Sequence, residues 1–370
     1  MRRFLPHCFS VRVSLIVLSW VIVVSIVACD ETETPTGPGG CREVALNRNL
    51  YPIFHWGYAS PDNFTDFSPN TEPQASDVGS PQWISSDSIL VVSITRHMGT
   101  FLAGVFSVHI DPDTLTFEGV SEYEHAEGIY SIRWDGATAS LLVLDSPAPL
   151  KSRVVRCHFN PNGLIVDEEL VDWSWEPRHV ETWMGHEGIV FSGVDPVSGI
   201  GGVYWRRPGG AVDSLLYAPA GPESLSGRFS FTADGTHLLV CVDLRDSWTA
   251  QLVAVSTTTP GVQNVVLARR HYSLGVYANP VDSDLAAFVY GFFGDDTHPP
   301  EDAVEVVRLS TGESEKLNVR THAPTCHFTR VESVSWDPTG QDLAFTSGAI
   351  SPEGDRYRSR LWILRPTSIP

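Results

Sequence analysis

Histidine is the side chain that points most directly to chemistry, because neutral imidazole is a common metal ligand and titrates close to neutral pH. Of thirteen histidines, five stand in comparable places, His125, His179, His271, His322 and His327, and all but His322 are taken as candidate ligands. His125 and His327 each lie nine residues before a tryptophan, Trp134 and Trp336. Imidazoles that converge could hold a divalent metal, whereas imidazoles scattered through loops are ordinary surface groups. A second candidate is Gly294–Asp302, whose acids Asp295, Asp296, Glu301 and Asp302 offer hard oxygen ligands suited to Ca²⁺. Their spacing does not match an EF-hand, and a solvated hairpin loop accounts for them as well. His186-Glu187 lacks the second histidine of a metalloprotease helix. No G-x-S-x-G, glycine-rich phosphate loop or C-x-x-C occurs. These residues define no catalytic set and no cofactor site by themselves.

The chain that must position them has 370 residues, 42% hydrophobic and 10% aromatic, enough to bury a large core. Length alone predicts two or three domains. The formal net charge is −19, and the only lysines are Lys151 and Lys316. That balance excludes a nucleic-acid-binding surface and a polybasic membrane patch, both of which need clustered cations.

A repeat overrides the length argument. An aromatic residue, a turn, and an apolar strand starting seven residues after the aromatic recur along the chain. The anchors are Trp83, Trp134, Trp183, Phe231, the degenerate Ala278, and Trp336, spaced 51, 49, 48, 47 and 58 residues apart. A period near fifty residues is the mark of a repeat architecture. Each anchor is followed by a first apolar run, such as Leu141–Leu144 or Leu238–Val242. An alternating run comes next, such as Arg153–Phe159 or Gln251–Val255. In five repeats a third follows, such as Leu164–Leu170 or Val262–Leu267. Period-two alternation of β-branched and aromatic residues predicts strands. With the strand that ends on the anchor, every repeat holds four, the content of a propeller blade. The last repeat lacks its fourth strand, and Glu43-Val44-Ala45-Leu46 belongs to no repeat. The expectation is therefore an all-β, six-bladed β-propeller whose ring is closed by an N-terminal strand pairing with Arg360–Leu364.

The first 28 residues have a different character. Arg2 and Arg3 precede an apolar run from Val13 to Ala28, broken only by Ser14, Ser19 and Ser25. This is the pattern of a secretory signal peptide, although the run also nears the length of a membrane span. Ile26-Val27-Ala28-Cys29 resembles the lipobox of bacterial lipoproteins, in which Cys29 becomes the lipidated first residue. The resemblance implies an exported protein attached to the membrane through a lipid on Cys29. The lipid would lie on the periplasmic side of the inner or outer membrane, or at the cell surface. Residues 30–40 contain no apolar side chain and read as a flexible tether. The chain thus divides into a lipoprotein signal peptide (1–28), a tether (29–42) and the propeller (43–370). In an oxidising compartment Cys41 and Cys326 are candidates for a disulfide at the closing seam. Cys157 and Cys241 lie in apolar runs and are expected to be buried thiols.

Trp336-Asp337-Pro338-Thr339-Gly340-Gln341-Asp342-Leu343-Ala344-Phe345 resembles the WD40-like repeat of TolB-like propellers and of the propeller domains of prolyl oligopeptidase-type peptidases. The resemblance spans about residues 44–370 and implies fold more than function. The additional domain of TolB has no room before the first repeat, and the peptidases' catalytic domain is absent. The implied function is a non-catalytic binding module for a protein partner or another cell-envelope component. Polysaccharide lyases built on propellers hold a metal with histidines at the channel mouth. Their positional similarity to His125, His179, His271 and His327 implies the alternative, a metal-assisted lyase or hydrolase.

Overall fold

The computed structural model describes residues 50–55, 77–97, 100–111, 116–125, 128–136, 140–148, 151–160, 163–209, 213–221, 223–244, 246–269, 271–292, 301–317, 327–350 and 360–364. The first strand is β1 (Leu50–His55). Repeat one contributes β2 (Asp77–Ser85), β3 (Ser88–His97), β4 (Thr100–Asp111) and β5 (Thr116–His125). Repeat two contributes β6 (Gly128–Asp135), β7 (Ser140–Ala148), β8 (Lys151–Asn160) and β9 (Gly163–Val171). A single 3₁₀ turn, Trp173–Trp175, leads into repeat three: β10 (His179–Glu181), β11 (Ile189–Val194), β12 (Gly201–Arg206) and β13 (Ser214–Tyr217). Repeat four has β14 (Glu223–Phe231), β15 (His237–Leu244), β16 (Thr249–Ser256) and β17 (Gln263–Arg269). Repeat five has β18 (Tyr272–Ala278), β19 (Leu285–Phe292), β20 (Glu301–Arg308) and β21 (Ser314–Leu317). Repeat six has β22 (His327–Trp336), β23 (Leu343–Ile350) and β24 (Arg360–Leu364).

Each repeat is an antiparallel meander in sequence order, and every run expected from the alternation falls in or against one of these strands. Repeats four and five merge into one eight-stranded sheet through a parallel contact of Arg228 with Gly275. In repeat six the fourth strand is β1, which pairs antiparallel with β24 from Leu50↔Leu364 to His55↔Arg360. The pairing strand therefore lies a few residues later than Glu43–Leu46, which falls outside the described residues. Residues 56–76, most of the segment expected as a surface loop, also fall outside them, and β2 begins at Asp77. Among the described residues no helix is long and apolar enough to cross a membrane.

The core lies between sheets. Leu141 and Val143 pack with Leu90, Val92 and Val105 of repeat one. Leu142 and Leu144, on the opposite face of the same strand, pack with Ile189 and Phe191 of repeat three. Alternation thus sends successive side chains to two different neighbours, so both faces of a sheet are apolar. The same sandwich forms between repeats three and four, four and five, and five and six.

The turns after the anchors are held by side-chain caps. Asp337 Oδ1 accepts from the backbone N–H groups of Gln341 (2.7 Å) and Asp342 (2.8 Å). Asn279 Oδ1 does the same for Val281 and Asp282, both at 2.9 Å. Short oxygen side chains suit this role because they reach backbone donors two to five residues ahead. An anchor and a cap also tie repeats together: Trp183 Nε1 donates to Gly235 O at 3.1 Å, and Asn279 Nδ2 donates to Gly340 O at 2.8 Å. The result is a nearly all-β, propeller-like architecture of antiparallel sheets packed face to face.

Candidate functional site

The residue just before each anchor carries a hydrogen-bonding side chain: Gln82, Arg133, Thr182, Ser230, Tyr277 and Ser335. Gln82, Arg133 and Ser335 form hydrogen bonds between repeats. Gln82 Nε2 donates to Ser335 Oγ at 3.1 Å, and Trp83 N donates to the same oxygen at 3.2 Å. Arg133 Nη1 donates to Gln82 Oε1 at 2.9 Å. Arg133 Nε pairs with Glu181 Oε1 at 2.5 Å, and that oxygen accepts from Thr182 N at 3.0 Å. A continuous polar chain, Ser335–Gln82–Arg133–Glu181, therefore crosses the first strands of repeats six, one, two and three.

Local backbone shape aims these groups. Five first strands carry a register shift before the anchor: Gly79/Gln82, Ile129/Ser131, Ser226/Ser230, Ser273/Gly275 and Val331/Val334. Bulges of this kind bend a strand and re-aim its side chains. Gly227 has φ +63°, and a Cβ there would lie 2.3 Å from Leu274 O. Only glycine lets β14 and β18 approach closely enough for the Arg228–Gly275 contact. A Cβ on Gly275 would in turn meet Arg228 Cβ and Tyr277 Oη, each at 3.1 Å. The Tyr277 hydroxyl and the stem of Arg228 thus both border Gly275.

The electrostatics follow from burial. His179 and Glu181 are both buried. Desolvation holds the His179 imidazole well below its ordinary pKa, and the charges of Arg228 and Arg133 push it the same way. Desolvation raises the Glu181 carboxyl, against the opposing pull of Arg133. The His179 ring meets Phe229 edge-on, with centroids 5.5 Å apart. The Tyr277 hydroxyl is also pushed up by burial.

A second charged pair serves structure. Arg269 Nε donates to Glu305 Oε2 at 2.9 Å, and Ser314 Oγ donates to Glu305 Oε1 at 2.5 Å. Burial raises the Glu305 carboxyl, but these hydrogen bonds and the Arg269 charge outweigh it and leave the group below its ordinary value. The pair joins repeats four and five.

The four histidines singled out from sequence occupy different settings. His125 ends β5, His179 begins β10 and His327 begins β22, so three of them lie in strands rather than loops. His271 lies between β17 and β18, with its ring stacked on Tyr290 at 5.2 Å. Among the described residues, no three His, Cys, Asp or Glu side chains converge as metal ligands. Cys157 and Cys241 are buried and outside any disulfide. Cys29, Cys41 and Cys326 lie outside the described residues, as do residues 293–300. Glu301 and Asp302 open β20, opposite Phe292 and Gly291 of β19, so the acidic stretch joins a hairpin. Arg133, Glu181, Arg228 and Tyr277 went unnoticed in the sequence. The available signal was a hydrogen-bonding side chain one to three residues before an anchor.

No protein-family model matches the chain, and no curated protein matches it. Solved structures do resemble it. A protein of unknown function from Dyadobacter fermentans aligns over 88% of this chain and 99% of its own, with 11% identity and a TM-score of 0.52. TolB from Acinetobacter baumannii aligns over 80% of each chain, with 11% identity and a TM-score of 0.46. An oligogalacturonate lyase in complex with manganese aligns over 80% of this chain and 92% of its own, with 12% identity and a TM-score of 0.46. At these identities the likeness concerns fold alone.

Proposed function

We propose that the protein is an exported, lipid-anchored six-bladed β-propeller, closed by β1, that binds a protein or another cell-envelope component and carries no catalysis of its own. The observation that carries this reading is the state of the first strands of the repeats. There Ser335, Gln82 and Glu181 are linked to one another through Arg133, which supports a structural rather than a catalytic use of these groups. His179, the buried candidate ligand there, faces two guanidinium charges that oppose a divalent cation. The leader and Cys29 support membrane attachment, and the acid-rich composition supports a solvated surface held away from the bilayer by the tether. A Cys41–Cys326 disulfide would reinforce the closing seam, and mass spectrometry of the unreduced protein would reveal it.

The test has two arms. Cells expressing the protein are labelled with radioactive palmitate, and mildly crosslinked membranes are then solubilised for co-purification. Label lost in Cys29→Ala, with a stoichiometric partner recovered with the natural chain, is the expected outcome. Unlabelled natural protein would remove the anchor. Turnover on a panel of polysaccharides, with no partner recovered, would replace the binding module by a lyase or hydrolase.

A further inference from the structure

Two tryptophans stand in solvent at the same end of neighbouring repeats: Trp173 is 52% exposed and Trp248 is 66% exposed. Each is presented by an unusual backbone. Among the described residues only Glu176 and Trp248 adopt positive φ without being glycine, at +45° and +51°. Glu176 closes the 3₁₀ turn Trp173–Trp175 by donating its N–H to Trp173 O at 3.1 Å. Trp248 lies in the turn between β15 and β16, where Leu244 pairs with Thr249. A bulky residue in the left-handed region is strained, and such outliers gather at functional surfaces. The 3₁₀ turn is fixed to repeat three: the Trp175 ring meets Tyr204 edge-on at 5.1 Å, and Tyr204 Oη donates to Ile200 O at 2.6 Å. The turn between β11 and β12 adds Val197, 93% exposed, and Ile200, 45% exposed. From repeat two, Lys151 Nζ lies 4.1 Å from the centre of the Trp173 ring. Aromatic and aliphatic side chains of repeats two to four thus share one face.

The anchor turns lie at the other end of the repeats. Trp183 Nε1 donates to Gly235 O, Asp234 N donates to Ser283 Oγ at 3.2 Å, and Asn279 Nδ2 donates to Gly340 O, so the turns of repeats three to six form one face. The chain enters β1 at that face, because Leu50 pairs with Leu364, Leu364 with Leu343, and Leu343 with Trp336. Cys29 lies 21 residues before Leu50. The face with Trp173 and Trp248 is therefore opposite the end from which the chain leads to Cys29. We propose that this face docks a protein partner through an apolar patch on that partner, with Trp173 and Trp248 as its principal contacts. The inference deepens the binding module proposed above and rests on it. Tryptophan suits this role because it combines a large contact area with few rotatable bonds, and it is enriched among the residues that dominate interface energies. Val197 and Ile200 favour an apolar protein surface over a glycan, since they offer neither a ring to stack on nor a hydrogen bond. Lys151 also covers one face of the Trp173 ring, which a sugar would need.

Photocrosslinking of the full chain in its native membranes tests the proposal. Benzoylphenylalanine replaces Val197 in one sample and Val281, which is 63% exposed on an anchor turn, in another. The expected result is one protein adduct from position 197, joined through apolar residues of the partner, and none from position 281. The double variant Trp173→Ser, Trp248→Gly should reduce that adduct by about tenfold or more, the effect of truncating central interface tryptophans. Trp248→Gly alone should keep the melting temperature of the natural chain, because glycine relieves the left-handed backbone, and should still lower the adduct several-fold. An undiminished adduct in both variants, an adduct from position 281 alone, or a glycan adduct at position 197 would overturn the docking face and leave the binding module standing. No adduct at position 197 would overturn it too, and if co-purification then recovers no partner, the binding module falls with it.

Discussion

His179 shows how a single residue acquires a property its type does not confer. In an exposed loop its imidazole would titrate near 6.5, but at the start of β10 it is buried against Phe229 and faces Arg133 and Arg228. The folded protein therefore favours the neutral ring. The unfolded chain protonates below pH 6.5 and the folded chain does not, so the stabilising contribution is complete above that value and declines as pH falls beneath it. The slope for one such group approaches about 1.4 kcal/mol per pH unit. Glu181 acts with the opposite sign: its raised pKa favours the folded state at low pH, and that contribution is lost as pH rises above its ordinary 4.5. We expect His179→Gln to reduce the loss of stability between pH 6.5 and 5 relative to the natural protein, as read by urea unfolding at each pH. Parallel curves for the two proteins would show that the ring titrates normally.

At the scale of the element, the contact between β14 and β18 decides how two meanders become one sheet. Gly227 adopts φ +63°, and a methyl group there would press on Leu274 O at 2.3 Å and Gly275 N at 2.7 Å. Gly261 also has positive φ, +82°, but nothing lies within 4 Å of its virtual Cβ. Comparing the two separates strain in a left-handed residue from steric collision. Gly261→Ala should cost about 1 kcal/mol from conformation alone. Gly227→Ala should cost about 3 kcal/mol or more, because backbone must also move, and it should lower amide protection along β14 and β18. Equal losses in urea unfolding would mean that this close approach is dispensable.

For the whole molecule the decisive pairing joins the two ends of the described chain. β1 covers the outer edge of β24, with Leu50 opposite Leu364 and His55 opposite Arg360. Gln82 and Trp83 of repeat one reach Ser335 of repeat six. An uncovered β24 would present a row of unpaired backbone groups, the usual route to edge-to-edge association. A form lacking residues 1–42 should melt like the complete mature protein. A form lacking residues 1–56 should melt lower and self-associate in sedimentation experiments. Equal melting and a monomeric shorter form would show that β1 does not help hold the ends together.

Periodicity was legible along the chain because aromatic anchors, turn residues and alternating apolar runs act locally, each requiring only its own neighbours in sequence. That local code settled the strands, the four-strand repeat and the need for an N-terminal strand beside Arg360–Leu364. It placed that strand at Glu43–Leu46, because choosing between adjacent apolar stretches requires the register against β24. The polar chain from Ser335 to Glu181 was illegible for a related reason. Its members lie about fifty residues apart or more, and nothing in each strand's own sequence marks them from the other polar residues there. Bulges and the packing of one sheet on the next bring them within hydrogen-bond distance, and burial then alters how His179 and Glu181 hold their protons. The sequence by itself determined the elements and their repeat, through short-range sterics and hydrophobic alternation. Tertiary structure alone decided which polar groups meet and what charge they carry, because contact and desolvation exist only once the sheets are packed.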